Sequence, residues 1–423
     1  MSLMEVSPDK RILLMDKKPF FYLADTVWCA STNAEHTEWL EYLEFRKNQG
    51  FNALQINILP QHDRSDMAMA VPPFELQADG RYDLSRPLDA YFEMVRTKIA
   101  QARERSFLPV LSLFWFDWAQ DRWTRDKPHR PFTTAEFSRY LDYVIPRFSE
   151  FDPIFQCGGD VNFDQWPEHP RELYHQALKR CKELAPSCLT AMHLGRAFLP
   201  DELQRSPYLD LSIYQSGHQR NEEHVPWRLA NDCINREPHR PVINSEPSYE
   251  GLYFGGEYGR WGRASVRRAC WTSLLSGASA GVTYGAHGLW SWHKKGAPFY
   301  GQSFAGEPFP WRTALHFPGA NDFAFAKDIF EKKSLLGVMP WQEILEHRSH
   351  EIRVAANPDH GRIAVYLPFN DSFSLRGDFK GWKWETWSLE GRQPFTPDVT
   401  VGPDKASFAM HDFNSDSVMV GER

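Results

Sequence analysis

The chain has 423 residues, 42% of them hydrophobic and 14% aromatic, and a formal net charge of −7. A composition this apolar excludes a disordered chain. The weak acidity and the lack of a long Lys/Arg run argue against a nucleic-acid partner, and no run of about 20 apolar residues exists to span a membrane.

The length allows two or three domains of roughly 150 residues, or one barrel of about 250 residues with insertions and a tail. Met1-Ser2-Leu3 reads as a cloning scar before a natural start at Met4. The N-terminus lacks the charged and apolar regions of a signal peptide. A cytoplasmic location is the expectation, with secretion only if a leader has been removed. The six cysteines (Cys29, Cys157, Cys181, Cys188, Cys233 and Cys270) form no C-x-x-C pair. They are expected to be free thiols packed as small hydrophobes rather than zinc ligands.

In chain order, a short apolar strand, a polar loop and an amphipathic helix recur. Strands are predicted at Phe20–Ala24, Phe51–Leu59, Phe107–Phe114, Ile154–Cys157, Cys188–His193, Leu209–Tyr214, Pro241–Ser245 and Ala280–Tyr284. The first helix is expected over Asn33–Gln49, with Gly50 as its stop. Leu88, Tyr91, Phe92, Val95 and Ile99 recur at helical spacing. Thr133 and Glu136 form a capping box for the next helix, which Pro146 should kink or end. Leu173, Ala177, Leu178 and Cys181 mark another helix, and helical patterns follow at Trp227–Asn235, Arg263–Ser276 and Asp322–Leu335. Eight alternations argue for a parallel sheet closed as a (β/α)8 (TIM) barrel. An open doubly wound sheet would carry a Gly-rich fingerprint after its first strand, and none is present. After about Gln342 the texture turns to short β-like runs between turn residues. The expected division is a barrel over residues 1–342 and a small all-β, sandwich-like domain over 343–423.

Barrel active sites sit at the carboxyl ends of the strands, so the residues that follow each strand matter most. These are Asp25, Thr26 and Trp28; Gln61, His62 and Asp63; Trp115 to Trp118; Gly158-Gly159-Asp160-Val161-Asn162; His193; Gln215, Ser216 and His218; Glu246, Pro247 and Tyr249; and His287, Trp290 and Trp292. Carboxylates, amides, histidines and tryptophans together suit a sugar better than a phosphate or a metal. Cleaving a glycosidic bond needs two carboxyl groups, one to protonate the leaving oxygen and one to act as nucleophile or base. Asp160 and Glu246 end strands four and seven, on opposite sides of an eight-stranded ring. They are the candidate catalytic pair. A bland role is also open to Asp160, as a cap of the following turn. Glu246, ending an apolar strand before a proline, has little structural excuse. Asp25, Trp28, His62, Trp115, Asn162, Gln215, His218, Tyr249 and His287 are the candidate substrate contacts, with Trp28 and Trp115 as stacking platforms. Asp25 has a second reading, as partner to a buried arginine. His193, His218 and His287 can each be structural. His62 with Asp63 could pair on a metal, yet no His-x-His or His-Glu-x-x-His pattern accompanies them. No cofactor and no metal are expected.

Six segments carry a resemblance: Phe20-Phe-Tyr-Leu-Ala-Asp25-Thr-Val-Trp28, Gly50-Phe-Asn-Ala-Leu-Gln55, Gly158-Gly-Asp160-Val-Asn162, Tyr214-Gln-Ser-Gly-His218, Pro241-Val-Ile-Asn-Ser-Glu246-Pro-Ser-Tyr249-Glu-Gly251 and Thr283-Tyr-Gly-Ala-His287-Gly. In this order, over roughly residues 10–340, the chain resembles the apiosidase-like catalytic domain family, glycoside hydrolase family 140. The tail resembles the small β domain, labelled collagen-binding, that often follows it. The resemblance implies a barrel acting on plant cell-wall glycans, with activity on apiose in a pectic side chain. It implies a catalytic pair at the Gly-Gly-Asp aspartate and the glutamate before proline, which are Asp160 and Glu246 here. The expected function is hydrolysis of a glycosidic bond in pectic oligosaccharides, in short oligosaccharides if the enzyme is intracellular. The alternatives are a catalytically inactive carbohydrate-binding barrel and a metal-dependent barrel hydrolase.

Overall fold

The structure is a computed structural model of the chain. It describes residues 3–120, 127–162, 170–195, 199–218, 223–253 and 259–423. Eight parallel strands form an inner ring: β1 (Tyr22–Thr26), β2 (Ala53–Asn57), β3 (Leu108–Ser112), β4 (Ile154–Gln156), β5 (Leu189–Ala191), β6 (Ser212–Gln215), β7 (Val242–Glu246) and β8 (Gly281–Tyr284). Their hydrogen-bonded order is β5-β4-β3-β2-β1-β8-β7-β6. The remaining seam, between β5 and β6, is held by the N–H groups of Asp210 and Leu211 on the Thr190 carbonyl. An outer layer of helices follows the strands in turn: α1 (His36–Asn48), α2 (Asp89–Glu104), α3 (Thr134–Ser149), α4 (Arg171–Leu184), α5 (Asp201–Gln204), α6 (Val225–Ile234), α7 (Arg263–Leu274) and α8 (Gly319–Lys332). This is the expected (β/α)8 barrel.

Side-chain alternation along the strands divides the core in two. Tyr22 and Ala24 of β1 point inward, with Ala53, Val110, Ile154, Ala191, Ile213 and Ile243. Phe21 and Leu23 point outward into the larger cluster between strands and helices. An antiparallel sheet of Met4–Val6, Leu13–Met15 and Lys18–Phe20 brings Met4 and Leu13 into the inner cluster. Phe20 therefore pairs with Leu13, and β1 begins two residues later than predicted. Above the inner apolar residues lies a polar layer. Gln55 Nε2 donates to Thr283 Oγ1 at 2.6 Å and to the Ser245 carbonyl at 3.0 Å. That layer is the floor beneath the carboxyl ends of the strands.

The Thr133 hydroxyl accepts the Glu136 N–H, and the Glu136 carboxylate accepts the Thr133 N–H, so the capping box forms. Pro146 neither ends α3 nor stands in its middle. The helix runs on to Ser149, with Pro146 in its last turn. The first predicted helix is split. Ala34 is extended, and a new helix starts at His36, with the Glu35 N–H capped by Glu38 Oε2 at 3.1 Å.

The C-terminal region is all β, as expected. A six-stranded antiparallel sheet (with Arg353–Ala356, Arg362–Leu367, Ser417–Glu422 and Lys383–Ser388 at its centre) faces a four-stranded one, and Val354, Ile363, Val365, Leu375, Trp384 and Phe408 pack in a common apolar cluster. The other face of the larger sheet joins the barrel's outer core through Ala364, Tyr366 and Val418. Tyr366 stacks on Trp271 of α7 at 6.2 Å. All six cysteines are buried free thiols. Among the described residues, no helix is long and apolar enough to cross a membrane.

Candidate active site

The loop after β4 turns sharply so that Asp160 faces the barrel mouth. Gly158 has φ +133°, and a Cβ there would lie 2.7 Å from the Tyr174 ring. At Gly159 a Cβ would lie 2.0 Å from the Trp115 indole, so that ring can lie on the backbone only because the residue is glycine. Asp160 itself takes φ +54°, a conformation that Asp tolerates better than most residues but that still carries strain. The Gly-Gly-Asp signature is therefore a device for presenting one carboxyl group.

Glu246 is the last residue of β7 and is 6% exposed. The register between β6 and β7 slips by one residue at Tyr214/Gln215, so Gln215 pairs with Glu246 instead of Ser245. That irregularity places the Gln215 amide between the two acids. Its Nε2 donates to Glu246 Oε1 at 2.6 Å and to Asp160 Oδ1 at 3.4 Å. Glu246 Oε1 also accepts His218 Nε2 at 2.9 Å, and Oε2 accepts His193 Nε2 at 3.1 Å. His218 is oriented by its other nitrogen, which accepts the Tyr249 backbone N–H at 3.4 Å. The Tyr249 hydroxyl accepts Trp28 Nε1 at 3.1 Å, and the Trp28 ring lies 5.1 Å from Trp115.

The two carboxyl groups ionise in opposite directions. Desolvation, then the neighbouring Glu246 charge, pushes Asp160 up to about 6. Burial alone would raise Glu246 too, but hydrogen bonds from His193 and His218 outweigh it and hold that carboxyl below the usual carboxylate range. At neutral pH the site holds a fixed carboxylate beside an acid able to exchange its proton. That is the division of labour a general acid and a nucleophile or base require.

Of the candidate residues, the structure brings Asp160, Glu246, Gln215, His218, Tyr249, Trp28 and Trp115 into one cluster. Asn162 is buried in the loop just beyond Asp160. His62 stands at the side of the site, with Nδ1 3.8 Å from Asp117 Oδ2. Two candidates leave the list of substrate contacts and take the second reading open to them, Asp25 as partner to a buried arginine and His287 as a structural residue. Asp25 is fully buried on the outward face of β1, where it accepts Arg46 Nε at 2.6 Å and the Tyr42 hydroxyl at 2.8 Å, so it cannot reach a ligand in the mouth. His287 is also fully buried, with Nε2 bonded to the Gly306 carbonyl at 3.0 Å and Nδ1 accepting Trp290 Nε1 at 3.2 Å. Burial pushes it down to about 3, and it has no nitrogen left for a substrate. The indoles of Trp28 and Trp115 are 2% and 4% exposed and form a packed wall rather than open stacking platforms. His193 and Ser245 were missing from the candidate contacts. The available signal was position, since His193 follows β5 as the other site residues follow their strands.

Among the described residues, no group of three or more His, Cys, Asp and Glu side chains is arranged to hold a metal ion.

The family described as "Apiosidase-like, catalytic domain" matches residues 7–336. A solved structure described as a glycoside hydrolase has a TM-score of 0.83 at 19% identity, covering 99% of this chain and 96% of its own. A glycoside hydrolase family 5 structure from Bacteroides vulgatus ATCC 8482 has a TM-score of 0.83 at 19% identity, covering 99% and 93%. A family 30 endoxylanase from Clostridium papyrosolvens C71 gives 0.51 at 8% identity, covering 95% and 96%. At such identities the likeness to these structures is one of fold. Comparison with curated protein sequences gives no match.

Proposed function

The chain belongs to the apiosidase-like catalytic domain family of glycoside hydrolases, and on that premise we propose that it releases a terminal sugar from short pectic oligosaccharides with retention of configuration, Glu246 acting as nucleophile and Asp160 as general acid and base. In the first step Glu246 attacks the anomeric carbon while Asp160 gives its proton to the departing glycosidic oxygen. In the second, Asp160 takes a proton from water, the hydroxide adds to the anomeric carbon, and Glu246 leaves as a carboxylate.

The observation that carries this reading is the Gln215 bridge. Because one amide nitrogen lies 2.6 Å from Glu246 Oε1 and 3.4 Å from Asp160 Oδ1, those oxygens are at most about 6 Å apart. Retaining enzymes hold their carboxyl groups about 5–5.5 Å apart, and inverting ones about 6.5–9.5 Å, to leave room for a water. The opposed ionisation of the pair supports the same roles. Apiose in a pectic side chain is the favoured sugar on the strength of the family alone.

Turnover of apiose-containing pectic oligosaccharides, beside a panel of aryl glycosides, tests the substrate. Proton NMR of the first-formed anomer tests the stereochemistry. Glu246→Gln and Asp160→Asn should each lower kcat by about a thousandfold, and azide should restore Asp160→Ala by forming a glycosyl azide of retained configuration. Near-wild-type turnover in either carboxyl variant, or an inverted first anomer, would refute the assignment.

A further inference from the structure

We propose that His193 is the internal counter-ion of the carboxyl pair: a positioning residue, protonated on both nitrogens, that holds the net charge of the buried site at zero through both half-reactions. This rests on the roles proposed for Glu246 and Asp160.

His193 is fully buried, its ring 5.3 Å from Trp28 and 5.7 Å from Trp115. Nε2 lies 3.1 Å from Glu246 Oε2, and an ionised carboxylate only accepts, so Nε2 carries a hydrogen. Nδ1 lies 3.1 Å from Ser245 Oγ. The single Ser245 hydroxyl proton goes to the Tyr214 carbonyl at 3.1 Å, and a carbonyl also only accepts. Ser245 Oγ therefore offers a lone pair, and Nδ1 carries a hydrogen too. The ring is an imidazolium. His218 differs. Its Nδ1 accepts the Tyr249 N–H, so it meets Glu246 as a neutral donor. Glu246 Oε1 takes both Gln215 and His218, whereas Oε2 takes His193.

His193 acts on both acids. It bonds Glu246 directly, and its charge also reaches Asp160. Among the described residues, the other ionisable groups acting on the pair are Asp63 and His62 on the Asp160 side, and His218 and Tyr249 beside Glu246. In the resting enzyme, the Glu246 carboxylate balances the imidazolium while Asp160 is protonated. In the glycosyl-enzyme, Glu246 is a neutral ester and Asp160 is the carboxylate. The sum over the three groups is zero in both states. Without the imidazolium, each state would bury an unpaired negative charge, which a desolvated site tolerates poorly.

The test is the pH dependence of kcat/KM in His193→Gln, which can keep a donor but not the charge. A cation lowers the proton affinity of both carboxyl groups, so its loss should move both limbs of the profile to higher pH, by about 1–3 units. A histidine that only fills space would lower the rate at every pH and leave the limbs in place, and that result overturns the proposal. Ser245→Ala removes the Nδ1 acceptor and should shift the limbs the same way by less, which decides the matter if His193→Gln does not fold. A readout independent of turnover is the 15N spectrum of histidine-labelled enzyme. The His193 ring should be doubly protonated in the wild type and neutral in Glu246→Gln, and a neutral ring in the wild type overturns the proposal. Failure of the catalytic roles would look different, as full turnover in Glu246→Gln with the limbs unmoved in every variant.

Discussion

Asp25 accepts Arg46 Nε at 2.6 Å, and neither side chain has any exposed surface. The pair sits outside the barrel wall, between β1 and α1, with the guanidinium 5.0 Å from the Phe51 ring and one of its nitrogens donating to the Leu315 carbonyl. Two charges so placed are costly to separate, since the survivor is left buried and unpaired. Asp25→Ala should lower unfolding free energy by about 3–5 kcal/mol, read as a lower urea midpoint. Asp25→Ala with Arg46→Met should recover part of that loss. Folded Asp25→Ala enzyme should keep a KM close to wild type. A KM raised tenfold or more, with stability unchanged, would restore Asp25 as a substrate contact.

The sequence leaves Asp25 open between a substrate contact and a partner of a buried arginine, for a physical reason. A strand covered on both faces reads as an unbroken apolar run, as Phe20 to Ala24 does, and carries no alternation from which to tell inward from outward. The number of strands, their order and the mouth of the barrel were legible, because each depends on repeated patterns. The facing of a single residue at a strand end was not. Glu246 also hangs on such a detail, since the register slip beside Gln215 has no composition signal. His193 and His287 illustrate the same limit. Both follow strands, yet one meets Glu246 and the other is consumed by the Gly306 carbonyl, a contact with a distant loop. Gly158-Gly159 was legible as a motif. Its reason, the Trp115 ring lying against the backbone, needed the third dimension.

Gln215 donates to both acids, and its bond to Glu246 is one to a charged group. Such bonds contribute about 1.5–3 kcal/mol. Gln215→Ala should therefore lower kcat by roughly 10–100-fold, with KM changed much less, because the amide sets the position of the reacting oxygens. Steady-state kinetics on the preferred substrate would check this. A pure KM effect would mean that Gln215 binds sugar and does not hold the pair.

Asp160 sets a prediction in pH. Desolvation and the Glu246 charge raise its carboxyl to about 6, whereas Glu246 stays ionised well below that. A protonated Asp160 is needed for the first step, so kcat/KM should fall as pH rises past about 6. Stability falls in the same direction. A carboxyl raised in the folded state favours the native form only at low pH, and that contribution is lost as pH climbs from its unfolded value to about 6. Above that pH Asp160 is a fixed cost, and Asp160→Asn should stabilise the protein by roughly 1–3 kcal/mol. The gain should shrink as pH approaches 4. Equal gains at both pH values would show that the benefit is one of packing, not of ionisation.

The C-terminal β region is bound to the barrel by a network of buried charges. Asp416 accepts Arg267 of α7 through Nε at 2.8 Å and a terminal nitrogen at 2.6 Å, and it takes the Tyr366 hydroxyl at 3.2 Å. Arg267 in turn reaches Asp322 of α8 at 3.0 Å, which also accepts Arg263 at 2.7 Å and Arg392 of the β region at 2.8 Å. Asp322 lies on α8 and Asp416 just before the strand Ser417–Glu422, far apart in sequence, so the network exists only when both parts are folded and docked. Asp416→Ala would leave Arg267 buried with half its partners and should cost about 3–5 kcal/mol, whereas Asp416→Asn, which can still accept one bond, should cost less. Thermal melts should show a lower Tm for both, in that order. Because none of these groups touches Asp160, Glu246 or Gln215, kcat measured well below the melt should stay within about twofold of wild type. A melt that splits into two transitions in Asp416→Ala would show the β region releasing before the barrel. An unchanged Tm would mean that the apolar contact of Tyr366 with Trp271 holds the two parts together without the charges.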